Sequence, residues 1–587
     1  MTTLLLLVKL FLFLLSLAGW CLLLTHKGGL RPELAPITAF SGVGVSMVAA
    51  GLLNIFTPVE WALYLGGLGL AVWLLVRGKR EALRPWLTVR VLAFVLACLW
   101  LLWLSRGGLI WGHDNMAHWA IVVKKMVTEN HLPNTADTAV EFTGYPVGAS
   151  CFIKYLCDFV GLSDGLMMLG QGLLILAGLF SLTVFLPRRS WPGALAFGVF
   201  ALFFLTANVP LNDLRVDTLL ASQGLAGLAV IAFYGPRDLR RALGYGLVSL
   251  AFLAQIKNSG LYFILLDLVV LLCFALRAKT ASKKILKGAV LSLALTAGGY
   301  WLWLRHVALV FPQGQTSKHA VSLTEYSTIF GEKTAEEIGQ FNRLFLAHLT
   351  DLSQTDIQIA LCLLVLLAVW VLYILLFRRG SLKKALWIGA GCLGAEGGYL
   401  VCLWCTYTLS MNTSEMLVLA SIQRYHTTTL AWLAGAALVL MLKAMDRSSP
   451  GECWKIGLVG ACFFVGMFFP GRENLPTLYS RALYHRTDTQ GPVLELKERY
   501  GLTEGSRYLF YTRGGGVDTW TLRYIARYVL NTDTLDFWEY EDQDYTWNEL
   551  YNSYDYIILY SPDAYIEDFF RQQGFDPSQG YAHLVMG

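Results

Sequence analysis

The residues with the clearest capacity for chemistry sit together in the stretch Trp111-Gly112-His113-Asp114-Asn115-Met116-Ala117-His118-Trp119. A carboxylate bracketed by imidazoles is a set that can accept, hold and pass a proton. It follows an apolar run of membrane-crossing length, so it lies where lipid gives way to water. The plain alternative is structural: Asp114 is well placed to cap a helix that begins near Asn115. Two histidines around an acid also raise a metal. Zinc needs three or four converging ligands, and the sequence offers no second cluster. No metal ligand is therefore assigned, a divalent ion is left open, and His113 reads as a hydrogen-bonding neighbour of Asp114.

What must position these groups is a membrane body. Of 587 residues, 56% are hydrophobic and only 15% charged, with a mean hydropathy of +0.52, against about 25% charged in soluble domains. The apolar excess falls in windows of about 20 residues nearly free of charge, the length of a helix that crosses a bilayer core. Fourteen spans are expected, near 4–25, 35–56, 58–76, 87–105, 164–186, 191–208, 216–234, 242–256, 260–276, 287–304, 357–377, 385–408, 427–444 and 455–469. The first block lacks a basic start and a small-residue cleavage site, so it reads as a span and not as a signal peptide. The eleven cysteines lie mostly in apolar blocks and show no regular framework, so they read as small core residues and imply neither zinc nor a disulfide scaffold.

The formal net charge of +5 does not point to nucleic acid, because the basic residues cluster in short connections between spans. These groups are Lys27 with Arg31; Arg77, Lys79, Arg80 and Arg84; Arg188 with Arg189; and Arg237, Arg240 and Arg241. They continue with Arg277, Lys279, Lys283 and Lys284, then Arg378, Arg379, Lys383 and Lys384, and finally Lys443 with Arg447. All fall on one side if the spans alternate, and the positive-inside rule makes that side cytoplasmic. The complementary segments 106–163, 208–215, 257–259, 305–356, 409–426 and the tail are then outside, as in a multi-pass protein of a bacterial plasma membrane. Segments 106–163 and 305–356 are long, and long ordered loops are usually functional.

The chain thus divides into a membrane part, 1–470, and a soluble part, 471–587. In the tail, 507–512, 534–538 and 554–560 read as strands, and 518–530 and 564–574 as amphipathic helices ending at Asn531 and Gly574. That alternation predicts a small α/β unit with a largely parallel sheet, so the fold class is mainly α: a polytopic helical bundle with a small α/β domain outside. Arg513-Gly514-Gly515-Gly516 fits no phosphate-binding pattern and reads as a tight turn.

The order of features after the fourth span resembles the first outer loop of the GT-C glycosyltransferases, polytopic enzymes that use polyprenyl-phosphate-linked sugars. Asp114 takes the place of that family's acid, the run from Trp119 through Lys124 to Met126 that of its helix, and Tyr145-Pro146-Val147-Gly148 that of its "YPPG" turn. Asn115 and Val147 depart from the commoner Asp-Glu pair and second proline, which weakens a two-carboxylate site but keeps the single acid. Gln255-Ile256-Lys257-Asn258-Ser259-Gly260 and Ser421-Ile422-Gln423-Arg424-Tyr425 resemble two further boundary segments of the family.

The resemblance implies an inverting transfer from a lipid phosphate to a hydroxyl on an outer-face glycan, glycolipid or protein. Asp114 would be the general base, and cations would offset charge growing on the departing phosphate. Lys124, Arg215, Lys257 and Arg424 are the candidates for the cations, although a single basic side chain at such a boundary more commonly just reaches for the interface. His113, His118, Glu141, Tyr145, Asp213, Asp217 and Tyr425 form the candidate substrate-binding set. Asn208, Asn212, Asp213 and Asp217 suit sugar hydroxyls or an ion, and equally an ordinary polar turn.

Two other functions compete. A transporter or flippase of a lipid-linked saccharide would keep ionisable groups at mid-membrane, as Asp267 and Glu396 are, but would also show paired repeats, which are not seen. A non-enzymatic wall-assembly protein whose aromatic-rich tail binds glycan is the third.

Overall fold

The computed structural model describes residues 3–77, 79–187, 190–277, 283–311, 322–377 and 381–584. Arg188, Arg189, Lys279, Arg378 and Arg379 lie outside the described residues, as do the side chains of Lys79, Arg80, Lys283 and Lys284. Each of the fourteen expected spans coincides with a helix. In chain order they are Thr3–His26, Ala35–Leu52, Phe56–Arg77, Val89–Ser105, Asp164–Leu182, Trp191–Thr206, Asp217–Tyr234, Leu239–Leu253, Gly260–Arg277, Lys283–Val310, Thr355–Phe377, Leu382–Leu409, Ile422–Met445 and Pro450–Phe468. Among the described residues, ten helices are long and apolar enough to cross a membrane, and Val89–Ser105 and Trp191–Thr206 are apolar but shorter. Leu239–Leu253 has 15 residues, about 22 Å of helix at 1.5 Å per residue, and needs its adjoining turns to cross.

The bundle is layered as a membrane protein is. The helix beginning at Asp164 is enclosed by the others, whereas the most apolar 18-residue stretch of Thr355–Phe377, with a mean hydropathy of 3.1, has only 6% of its residues buried and leaves its leucines on the outside of the bundle. Where apolar surface gains nothing by leaving lipid, close helix contact comes from small residues. A Cβ placed on Gly19 would stand 1.9 Å from the carbonyl oxygen of Gly67, so the first and third spans meet backbone to backbone. Ser16 Oγ donates to Tyr64 O at 2.9 Å in the same seam.

The basic connections converge at one end. Arg241 Nη1 donates to Gly29 O (3.3 Å), Arg90 Nη2 to Leu186 O (2.6 Å) and Lys443 Nζ to Ala232 O (3.2 Å). The opposite end holds the segment after Val89–Ser105. There a turn at Gly112, with φ of +84°, leads into a π-helix, Asn115–Trp119, continued by an α-helix, Ala120–Glu129. Single π turns are rare and concentrate at functional sites. A further helix, Gly148–Val160, is packed flat into the core with Lys154 buried on Glu60 (2.7 Å) and Asp158 (2.5 Å).

In the tail, four strands form one sheet in the order β2-β1-β3-β4: β1 is Tyr508–Tyr511, β2 Leu535–Trp538, β3 Tyr556–Leu559 and β4 Tyr581–His583. β1 runs parallel to β2 and β3, with Tyr508 opposite Leu535 and Tyr556, and β4 returns antiparallel to β3. Alternate residues serve two cores. Leu509, Tyr511, Ile557 and Leu559 pack with Ile566 and Phe570 of the Ala564–Gln572 helix. Tyr508, Phe510 and Ile558, with the Thr519–Leu530 helix, join the core that runs into the membrane body. The glycines after Arg513 make the expected turn, Gly515 and Gly516 at φ of +87° and +78°, positions that L side chains rarely adopt. Thr519–Leu530 ends at Asn531, and Gly574 stands two residues past the end of Ala564–Gln572, both in the left-handed region. Cys151 and Cys157 are buried free thiols.

Candidate functional site

Asp114 precedes the π-helix without capping it: its side chain accepts no bond from the following backbone N–H groups. It turns instead toward the Ile422–Met445 helix, where Arg424 Nη1 donates to Asp114 Oδ2 at 2.9 Å. The same guanidinium points its Nε at Asp217 Oδ2, 3.7 Å away. Asp217 opens its own helix and accepts from Lys257 Nζ at 3.0 Å. Thus Asp114, Arg424, Asp217 and Lys257 alternate in sign along one chain of contacts. Asp217 is enclosed with its side chain 3% exposed, whereas that of Asp114 is 34% exposed and open to a reactant.

The neighbours fix this row from three sides. Gly148 N donates to Gln255 O at 2.6 Å, and a Cβ there would meet the same oxygen at 2.6 Å, so only glycine lets the 145–148 turn close on the 255–257 segment. That closure sets the Tyr145 ring under the Lys257 ammonium at 5.6 Å, with Tyr425 on another side at 4.8 Å. Arg215 is gripped by Asp213 through Nε (2.8 Å) and Nη2 (2.6 Å). Asn115 Nδ2 donates to the other oxygen of Asp213 at 3.0 Å, and Leu214 N to Asn115 Oδ1 at 3.1 Å. Asn115, which stands where the resembled family commonly has a second acid, therefore ties the π-helix to the 208–215 connection.

Burial alone would raise the Asp114 carboxyl, but His113, with Nδ1 3.6 Å from Asp114 Oδ1, and the charges of Arg424 and Arg215 hold it well below the usual carboxylate range. His118 lies buried among Trp119, Phe142 and Tyr145. Burial pushes its imidazole down to about 3 against the pull of Asp114, so it is neutral near pH 7.

Not every candidate is brought to this row. Lys124 Nζ donates to Tyr528 O (3.0 Å) and Val529 O (3.3 Å), at the C-terminal end of the Thr519–Leu530 helix of the tail. Glu141 accepts from Tyr524 Oη of that helix at 2.6 Å. Lys125 pairs with Asp533. Two tail residues that sequence reasoning did not single out reach the site. Trp520 stacks on His113 (4.6 Å, 18°) and Tyr524 meets the same ring edge-on (4.0 Å). Their four-residue spacing on an amphipathic helix places both on one face, a signal visible in the sequence.

A second polar network stiffens the helix that carries Arg424. Asp356 Oδ2 lies 2.9 Å from His348 Nε2 and 2.8 Å from His426 Nδ1, and His426 Nε2 contacts Glu396. Glu396 is thus half of a pair, while both oxygens of Asp267 are buried without a hydrogen-bond partner. Beside Arg424 opens a cavity of about 480 Å³, lined among others by Trp111, Asn208, Arg215, Gln423 and Arg486. Arginines at its wall give it the character of an anion site. Asn208 Nδ2 donates to Arg424 O (3.0 Å) and Thr428 Oγ1 (2.9 Å), holding the wall in place.

Two solved structures are similar to the chain. A crystal structure of ArnT from Cupriavidus metallidurans bound to undecaprenyl phosphate aligns at 13% identity over 76% of this chain and 85% of that one, with a TM-score of 0.45. The same protein in the apo state aligns at 15% identity over the same shares, with a TM-score of 0.38. No protein-family model and no curated protein matches the sequence.

Proposed function

We propose that the chain is a GT-C-type glycosyltransferase that moves a sugar from a polyprenyl-phosphate carrier to a hydroxyl acceptor at the extracytoplasmic face, with inversion. The carrier belongs to the lipid class named with the similar ArnT structure. The observation that carries the reading is the contact of Arg424 with Asp114 at the rim of an arginine-walled cavity. A carboxylate and a cation are the two groups the reaction requires, one for the acceptor proton and one for the leaving phosphate.

The pair also implies an order of events. With Arg424 on it, Asp114 is a weak base. A lipid phosphate binding at Arg424, Arg215 and Lys257 draws the guanidinium toward its own oxygens. Asp114 then loses a neutralising partner, gains proton affinity and takes the acceptor hydroxyl proton as the oxygen attacks the anomeric carbon. The bond from that carbon to the phosphate oxygen breaks, and its electrons stay on the phosphate beside the cations. Asp217, enclosed and held by Lys257, orients Arg424. Tyr145 and Tyr425 hold the Lys257 ammonium over their rings, and His113, His118, Glu141 and Asp213 position the loop.

One observation favours a second reading: Asp267 at mid-helix, with both oxygens unpartnered, is what a transporter of a lipid-linked saccharide would need. Purified chain in liposomes, given a radiolabelled polyprenyl-phosphate sugar and an acceptor, separates the two. Under the transferase reading Asp114→Asn abolishes transfer and Asp267→Asn does not. Lipid movement across the bilayer that stops with Asp267→Asn, with no sugar transferred by the wild type, would establish the transporter.

A further inference from the structure

The end of the Ala120–Glu129 helix holds a group of side chains that the transfer chemistry does not use. One ligand atom from each of Glu129, His131 and Asp137 lies within 4.8 Å of the other two. In each residue the remaining atom is already engaged. Glu129 Oε1 accepts from Lys125 Nζ at 3.0 Å, while Oε2 faces His131 Nε2 at 3.1 Å. His131 Nδ1 is 2.8 Å from Leu132 O. With an ion on Nε2, the hydrogen sits on Nδ1, where the Leu132 carbonyl accepts it; Asn134 Nδ2 lies 3.2 Å from the same nitrogen. Asp137 Oδ2 accepts from Asn134 N at 2.7 Å. Among the described residues no donor reaches Asp137 Oδ1, and the side chain faces the Glu129 carboxyl although only 3% of the residue's surface is exposed.

We propose that Glu129 Oε2, His131 Nε2 and Asp137 Oδ1 form a binding site for a divalent transition-metal ion, Zn²⁺ or Mn²⁺. The imidazole nitrogen suits zinc, and the two carboxylates suit either ion. Each ligand is fixed by a hydrogen bond through its other atom, the arrangement that orients metal ligands. Bonds of ~2.1 Å place tetrahedral ligands roughly 3.4 Å apart, so the three side chains draw together by about an ångström on binding. The ion satisfies the bare Asp137 oxygen and separates two carboxylates that otherwise face each other. A cavity of about 330 Å³, lined by Asn54, Thr57, Glu129, Asn130 and His131, gives it a route in and room for coordinating water.

The site lies one residue before Thr138, whose Oγ1 donates to Asp533 O at 2.7 Å, and two before Ala139, whose N–H reaches Asp533 Oδ1 at 3.1 Å. Lys125 bridges Glu129 and Asp533. The ion therefore braces the segment of the loop on which the tail docks.

The test is metal binding by the full-length chain in detergent after stripping with a chelator. Titration calorimetry with ZnCl₂ and with MnCl₂ is expected to show one saturable ion per chain, and the bound ion to raise the unfolding temperature. His131→Gln, at a half-buried position, and Asp137→Asn are each expected to weaken binding at least tenfold and to remove the thermal shift. Absence of saturable binding by the wild type, or wild-type affinity in His131→Gln, overturns the proposal.

Discussion

Arg424 and Asp114, 310 positions apart in the chain, are joined by a 2.9 Å hydrogen bond at the rim of the bundle. The guanidinium is largely enclosed but lines the cavity, and the carboxylate is one-third open. Under the proposed reading the cation, not the acid, is the element that senses whether a phosphate is present.

Arg424→Lys keeps the charge but not the planar fork that reaches both Asp114 and Asp217. A point charge cannot span two acids and a phosphate. The expected outcome is a donor KM raised by about tenfold, the size of one lost charge-assisted bond. Steady-state kinetics at varied donor concentration checks it, and an unchanged KM would separate Arg424 from the donor.

The Asp114 carboxyl is depressed in the free protein by His113, Arg424 and Arg215, which outweigh its burial. A depressed acid contributes stability that is present above its unfolded value, near pH 4, and lost as pH falls through the lower folded value. The profile of kcat/KM, which reports the free enzyme, is accordingly expected to show no acid limb from Asp114 between pH 5 and 8. In Arg424→Gln the carboxyl moves up, because one of the charges that lowers it is gone, and any acid limb shifts to higher pH than in wild type.

Much of the site was legible because its charges sit at the ends of apolar runs. Asp114, Asp217, Lys257 and Arg424 each occupy a helix boundary that hydropathy locates, and the basic connections assign those boundaries to one end. The partners of Lys124 and Glu141 were not legible. Lys124 meets Tyr528 across 404 positions and Glu141 meets Tyr524 across 383, and nothing local marks a docking surface between a loop and a separate domain. The cap at Asp114 failed for a related reason: a nearby guanidinium binds a carboxylate more strongly than backbone N–H groups do. Strand β4 has three residues, too few for an alternating pattern to register.

His118 is neutral in the folded state because burial lowers it from 6.5 to about 3. The unfolded chain binds a proton below about pH 6.5 that the folded chain refuses. The stability this residue allows is thus complete above that pH and is lost as pH falls toward 3. His118→Gln is expected to flatten the fall in unfolding temperature between pH 6.5 and 4 relative to wild type, measured by differential scanning calorimetry.

Trp520 brings the tail into the site through its stack on His113. Aromatic pairs of this kind contribute about 0.5–1.5 kcal/mol. Trp520→Ala is therefore expected to lower transfer by roughly 2- to 10-fold, with the tail still folded because this ring is 58% exposed and outside its core. Comparing kcat/KM with the circular dichroism of the variant distinguishes a lost stack from an unfolded domain.

The most direct measurement takes wild type and Asp114→Asn side by side, recording polyprenyl-phosphate affinity and the initial rate of sugar transfer on the same preparations. Asparagine keeps the shape and a hydrogen-bond acceptor for Arg424 but cannot take a proton. Phosphate affinity within about threefold of wild type and a rate lower by about 10²- to 10⁴-fold, the range for a missing general base, is the predicted result. Transfer by the variant at the wild-type rate would contradict the account.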